Sequence, residues 1–186
     1  MKKVLSGLGC VVLLLFAFGG CVAIFSNSDT QTTASNPSGS KDPAPDGSKT
    51  IPLATKANIR PDRALAVASL ELVDQLSTGN EFVEPLSAKG GEIAVVRMSI
   101  ENTGKESGDS IFTTAKLIDS QGRSYDQIQD VEEAGAVYLW EEAEGLASIN
   151  DQLFPGGTAE IAKVFRVAPG AGGFTLVVNS LKFATE

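Results

Sequence analysis

Side chains able to do chemistry concentrate between Asp130 and Asp151. Seven acidic residues (Asp130, Glu132, Glu133, Glu141, Glu142, Glu144 and Asp151) occur there without a basic one, beside Tyr138 and the chain's single tryptophan, Trp140. Clustered carboxylates can hold calcium, a hard cation that takes about six to eight oxygen ligands. Asp130, Glu132 and Glu133 are the candidates, but the D-x-D-x-D-G spacing of a calcium loop is absent. A pair such as Glu133 and Glu142 could serve as acid and base in glycoside hydrolysis, although two nearby glutamates are common in any acidic stretch. A third reading is a contact surface formed by Tyr138, Trp140, Glu141 and Glu142. Aromatics are enriched at binding hot spots, and insertions between strands are where loops carry function. The competing structural reading is a solvated loop or short helix, with Val137, Leu139, Ala143 and Leu146 at helical spacing over an open end of the core. Trp140 would then close that end from inside.

The rest of the 186 residues excludes more chemistry than it offers. There is no histidine, and the only cysteines are Cys10 and Cys21. Ser-His-Asp and Cys-His nucleophile systems, His-ligated zinc and an imidazole switch near neutral pH are therefore ruled out. Beyond position 21 there is no disulfide, thiolate nucleophile or iron–sulfur ligand either. Thr113 to Lys116 echoes the T-x-x-K of Ser-Lys hydrolases, but that motif needs a helix start and this one falls in strand-like sequence. The formal net charge of -8 opposes wrapping nucleic acid, so no nucleic-acid partner is expected. No cofactor is implied, and no catalytic residue is assigned.

Three regions must carry and position these groups. In residues 1–25, Lys2 and Lys3 precede an uncharged run from Val4 to Phe25. As a helix this run would extend roughly 33 Å at about 1.5 Å per residue, enough for a hydrocarbon core of about 30 Å. Positive-inside logic places the remainder of the chain outside the cytoplasm. The run reads either as an uncleaved membrane anchor, as a lipoprotein signal peptide whose F-G-G-C at 18–21 makes Cys21 the lipidated residue, or as a plain secretion signal. Residues 26–57 are rich in Ser, Thr, Asn, Pro, Gly and Asp and read as a disordered spacer. Its flexible-coil span is roughly 30 Å.

Residues 58–186 alternate with period two inside short runs bounded by Gly, Asn, Asp and Pro, the pattern of half-buried antiparallel strands. Leu65 to Val73 reads as a first strand, and Phe82 to Glu84 as a short piece before the Gly90-Gly91 turn. Ile93 to Ile100 puts Ala94, Val96, Met98 and Ile100 on one face, and Asn102-Thr103-Gly104 ends it as a turn in which the asparagine side chain bonds the backbone two residues on. Ile111 to Asp119 follows, then a hairpin in which Gly122 takes positive φ, with Arg123 and Tyr125 on the next strand. Ala159 to Val167 and Phe174 to Phe183 complete the set. About seven strands, with turns every 8 to 12 residues, predict an all-β, immunoglobulin-like antiparallel β-sandwich without the Cys-Trp-Cys pin of antibody domains.

The run Ile93 to Gly104, then Asp119 to Tyr125, Leu153 to Thr158, Lys163 to Val167 with Pro169, and Leu176-Val177-Val178 resembles a family of bacterial surface lipoproteins and secreted proteins. That family is a domain-of-unknown-function family, often mislabelled telomeric repeat-binding factor, and is related to the mycobacterial immunoprotective extracellular antigen. The resemblance spans about residues 62–183. It implies an immunoglobulin-like sandwich, exported and usually tethered, and carries no catalytic residue across. The telomere label has no support here, since the basic patch and helices of DNA binding are missing.

The expected function is a non-enzymatic binding or structural module at the bacterial cell surface, attached to the membrane through its N-terminus and facing a protein or an envelope polymer. The alternative is an extracytoplasmic accessory or sensor subunit that binds a metal ion or solute for a membrane partner. A sandwich fold does not choose between them.

Overall fold

The strand that organises the fold is Glu92–Asn102, whose sequence EIAVVRMSIEN is apolar on both faces in its first half and on one face in its second. A run of this kind is buried on two sides rather than one. The computed structural model describes residues 49–109, 114–148 and 151–186. In chain order its strands are β1 (Thr50–Ile51), β2 (Ala57–Arg60), β3 (Arg63–Val73), β4 (Gln75–Leu76), β5 (Leu86–Ser87), β6 (Glu92–Asn102), β7 (Gly108–Asp109), β8 (Ala115–Ile118) and β9 (Ser124–Asp126). Helix α1 (Val131–Ala143) comes next, then β10 (Gln152–Leu153), β11 (Thr158–Val167), β12 (Thr175–Val178) and β13 (Leu181–Ala184).

Two sheets make an all-β sandwich. One is four-stranded in the order β11-β6-β3-β2, the other five-stranded in the order β1-β13-β12-β8-β9. Small antiparallel ladders join β7 to β10 and β4 to β5. Leu65, Val67, Val96, Met98, Ile100 and Phe165 from the first sheet meet Leu117, Leu176, Val178 and Phe183 from the second in one buried cluster. The face of β6 expected from its alternation, Ala94, Val96, Met98 and Ile100, is thus the inter-sheet core. Its other face, Ile93 and Val95, belongs to a second cluster with Ala162 and Val164 of β11 and Ala136 and Trp140 of α1.

Local turn chemistry agrees with the sequence. The Asn102 side chain accepts a bond from the Gly104 amide at 2.9 Å, and Gly122 sits at φ 79°. In β3 the pairing register shifts between Val67 and Ser69. The bulge at Ala68 moves the inward positions from Leu65 and Val67 to Leu70, as one extra residue in a period-two strand must.

Several expectations are corrected. Phe174 to Phe183 is not one strand: Asn179 (φ 47°) and Ser180 (φ 68°) turn the chain back between β12 and β13. Two consecutive left-handed residues form the tight turn whose twist matches a hairpin. Phe82 to Glu84 lies in a loop held by the Asn80 side chain, which accepts from the Phe82 amide at 2.9 Å. The strand read from Ile111 covers Ala115–Ile118, and Ile111 to Thr113 lie outside the described residues. The two sheets together hold more strands than the seven expected, and the folded part starts before residue 58, because Thr50 and Ile51 pair with Lys182 and Phe183. The anchor or signal at 1–25, Cys21 and most of the spacer lie outside the described residues. Among the described residues no helix is long and apolar enough to cross a membrane.

Candidate functional site

Helix α1 begins at Asp130, whose side chain accepts from the Glu132 amide at 3.1 Å. Glu132 and Glu133 in the first turn complement the positive end of the helix dipole. The helix buries only Ala136 and Trp140. Both pack on the outer face of the four-stranded sheet, against Val95, Ala162 and Val164. The acidic stretch therefore does not close an open end of the sandwich; together with Leu76 and Leu86 of the β4–β5 ladder it covers the outer face of the four-stranded sheet.

Trp140 is 5% exposed, and the Arg97 guanidinium lies 5.5 Å from its ring centroid. That arrangement removes Trp140 from any contact surface. Of its companions, Tyr138 is 41% exposed, Glu142 is exposed and Glu141 is half-buried. Two other acids are committed to holding the helix down. Glu133 receives Arg166 at 3.1 Å and also pairs with Lys89, and Glu144 receives Arg97 at 2.8 Å. The bond from Arg166, reinforced by that from Lys89, holds the Glu133 carboxyl below the ordinary glutamate range. Asp130, Glu132 and Glu133 do not converge on a cation: Asp130 caps the helix and Glu133 is neutralised by two basic side chains. Among the described residues no three Cys, His, Asp or Glu side chains come together as a metal site. Glu133, as an ion-paired carboxylate, also has no proton to give to a leaving group, which counts against the Glu133–Glu142 pairing.

The structure brings Glu141 to a partner the sequence did not single out. A cleft of about 350 Å³ opens between α1, the outer edge of β11 and the segments at 127–129 and 147–148, two of whose amides, Ile128 and Ala147, donate to the Val164 and Glu160 carbonyls of that edge. Tyr138 and Glu141 line it from the helix, and Lys163 lines it from β11. Ala134, Val137 and Val164 supply apolar wall. Lys163 shares its side of β11 with Ile161 and Phe165, which are buried between the sheets. On an edge strand its long stem can leave that core sideways and carry the ammonium out.

Burial pushes the Glu141 carboxyl up to about 7, and the Lys163 ammonium offsets only part of the effect. Burial likewise pushes Lys163 down from the usual lysine value, against the opposing pull of Glu141. Opposed titratable groups in a concave, partly apolar site are what a ligand pocket presents.

Two other polar knots are structural. Asp119, buried at the head of the β8–β9 hairpin, accepts from the amides of Gln121 and Arg123 at 2.9 Å each, from Arg123 Nε at 2.5 Å and from the Tyr125 hydroxyl at 2.8 Å. Burial pushes its carboxyl up, but the bonds from Tyr125 and Arg123 outweigh that and hold it at about 2. Arg63, 1% exposed, donates to Asn102 Oδ1 at 2.8 Å, to Asp62 Oδ2 at 2.9 Å and to the Asp109 carbonyl at 3.2 Å. The Asn102 amide in turn reaches the carbonyls of Glu106 and Leu153 at 2.8 Å each. These bonds tie β3, β6, β7 and β10 together at one end of the sandwich and leave both groups fully engaged.

Lys163 was missed because in AEIAKVFRV it alternates like any strand residue. The available signal was a lone lysine at a core-parity position between Ile161 and Phe165. A charge there must either escape at a sheet edge or meet an opposite one.

No family model and no curated protein matches the chain. Among solved structures, it is similar to a conserved hypothetical protein from Bacillus anthracis, with 18% identity over 74% of this chain and 96% of the other, at a TM-score of 0.55. An uncharacterised β-sandwich protein from Clostridium difficile matches at 14% identity, over 73% of this chain and 92% of the other, with a TM-score of 0.48. The secreted protein MPT63 from Mycobacterium tuberculosis matches at 8% identity, over 73% and 95% of the two chains, with a TM-score of 0.44. The B. anthracis likeness shows a shared β-sandwich fold and nothing of function.

Proposed function

We propose that this chain is a membrane-tethered, extracytoplasmic, immunoglobulin-like module that binds its ligand without chemical turnover, and that the cleft between α1 and β11 is the binding site. The observation that carries the reading is that Glu141 and Lys163, both half-buried, line this one cleft beside an apolar wall. Two opposed charges can recognise and orient a guest, and no histidine or downstream cysteine is present to attack one. The tether rests on the uncharged run from Val4 to Phe25 behind Lys2 and Lys3 and on the lipobox-like F-G-G-C. The resemblance to surface lipoproteins points the same way. Serving as an accessory or solute-sensing subunit would use the same cleft and differ only in handing occupancy on to a membrane partner.

The binding half of the proposal is tested by amide chemical-shift mapping of the protein against a library of small polar and amphipathic molecules. Perturbations centred on Tyr138, Glu141 and Lys163 support it; perturbations elsewhere, or none, refute the cleft as the site. The tether is tested by labelled palmitate. Uptake that disappears in Cys21→Ser supports a lipoprotein, whereas unchanged mass and membrane retention in that variant leave the helical anchor.

A further inference from the structure

We infer that the cleft between α1 and β11 takes an uncharged sugar, either free or as the end of a glycan chain. Hydroxyls of the sugar would bond Glu141, and the C–H face of its ring would lie against Tyr138, Val137 and Ala134. The inference deepens the binding-module reading above and rests on it.

Glu141 selects the guest. Its half-buried carboxyl lines the cleft, and among the described residues none donates a hydrogen bond to it. A carboxyl that has lost water without gaining donors is an acceptor left unsatisfied. An apolar guest would strip its remaining water and return nothing. A cation would bring donors, but also its charge, into a cleft that Lys163 lines too, and Lys163 is already engaged by an interaction of its own. An anion would meet the Glu141 carboxylate itself. An uncharged polyol supplies donors and adds no charge, and two neighbouring hydroxyls match the two oxygens of one carboxylate. Titration of the group favours hydroxyls as well. Burial holds Glu141 up at about 7, so near neutral pH it is present both as a carboxylate and as a carboxylic acid. A hydroxyl can donate to the first and accept from the second.

The rest of the lining suits a ring with polar edges. Ala134 and Val137 offer aliphatic wall, and Tyr138, 41% exposed, adds a flat aromatic body with a polar tip. Gln129, exposed beside them, carries an amide that both donates and accepts. A sugar divides its surface in the same way, with C–H groups on the ring faces and hydroxyls around the edge. The volume of about 350 Å³ lies at the small end of ligand pockets, which run from about 300 to 1,000 Å³. That size suits a guest of about one or two rings.

Amide shift titration of the full-length protein in phosphocholine micelles, whose headgroup contains no sugar, tests this at neutral pH. The probes are the methyl glycosides of glucose, galactose and mannose, the amino sugar and the uronate of whichever binds, and cyclohexanol, which keeps a ring with a single hydroxyl. One methyl glycoside is expected to shift the Tyr138 and Glu141 amides and to bind about fivefold or more tightly than its amino sugar, its uronate or cyclohexanol. Glu141→Leu, which removes the acceptor, should cost about tenfold in that affinity while keeping the far-UV spectrum of the parent. Glu141→Gln, which keeps one acceptor oxygen, should cost less. Cyclohexanol or a charged analogue binding as tightly as the glycoside, unchanged affinity in Glu141→Leu, or no shift from any glycoside even at about 50 mM would overturn the inference. The probe series is run on the unmodified protein, so it decides the question even if a variant does not fold. A tetrasaccharide of the binding sugar that binds about tenfold more tightly identifies the end of a glycan chain, and one of equal affinity a free sugar; both support the inference. If the sugars are silent while the library mapping still centres on the cleft, the ligand class is wrong and the binding site stands. If both are silent, both fall.

Discussion

Replacing Glu141 by glutamine should change how the protein's stability depends on pH. In the folded chain the Glu141 carboxyl is held up at about 7, against an ordinary 4.5, by burial. Between those values the native state holds a proton that the unfolded chain releases, so stability falls as pH rises through the window. At about 1.36 kcal/mol per unit the full shift would cost at most about 3 kcal/mol. Because the carboxyl keeps part of its exposure, solvent screening reduces this to about 1–2 kcal/mol.

Other shifted groups leave the window clear. Asp119 and Glu133 are depressed, so their contributions are complete above their unfolded values and are lost only on acidification. Lys163 is depressed from 10.5 and Tyr125 raised from 10.0, and both change their charge on the alkaline side. Urea unfolding followed by Trp140 emission at pH 5 and pH 8 reads the effect. The parent should lose about 1–2 kcal/mol more than Glu141→Gln across that interval, and Lys163→Met, which removes the compensating ammonium, should steepen the loss. Parallel stability curves for the parent and Glu141→Gln would refute the placement of that carboxyl.

Trp140→Ala should cost about 3–5 kcal/mol in equilibrium unfolding, and the parent's emission should be blue-shifted and resistant to quenchers, because the ring lies buried beneath Arg97. Gly91→Ala should cost about 1–3 kcal/mol by thermal melting, since a methyl there would stand 2.3 Å from the Val167 carbonyl oxygen, which as backbone cannot yield cheaply. Asp119→Asn should lower the melting temperature and flatten the gain in stability between about pH 2 and pH 4. In the same variant the Tyr125 phenol, raised first by burial and then by its bond to Asp119, should titrate closer to its ordinary value in ultraviolet absorbance.

The sandwich was legible where its signals are local. Alternation in Ile93 to Ile100 marked the core face, Asn102 announced a side-chain turn, and Gly122 a left-handed one. Each depends on residues a few positions apart. The two-residue turn at Asn179 and Ser180 escaped because neither turn residue is a glycine or proline, although the inward parity changes across it from Leu176 and Val178 to Leu181 and Phe183. The location of α1 escaped for a different reason. Its attachment rests on Ala136, Trp140 and ion pairs to Arg97, Arg166 and Lys89, and an acidic helix with so narrow an apolar stripe gives no hint of which surface it will cover. The candidate site was half visible: Tyr138 and Glu141 drew notice as polar and aromatic residues in an insertion. The opposing Lys163 came from a strand whose tertiary neighbours no sequence window contains.

The pairing of β1 with β13 bears on when the domain can finish folding. Thr50 lies parallel to Lys182 and Ile51 to Phe183, so the first strand of the five-stranded sheet waits for the last. A parallel contact between elements so distant in the chain is slow to find, because the intervening loop must be closed before the bonds form. The rest of that sheet, β12 with β8 and β13, and the antiparallel ladders of β3, β6 and β11 have nearer partners. On a chain emerging in order from a ribosome or a translocation pore, residues 50–51 would therefore remain an unclaimed edge segment until the β12–β13 hairpin is out. Their docking then becomes the closing event of folding.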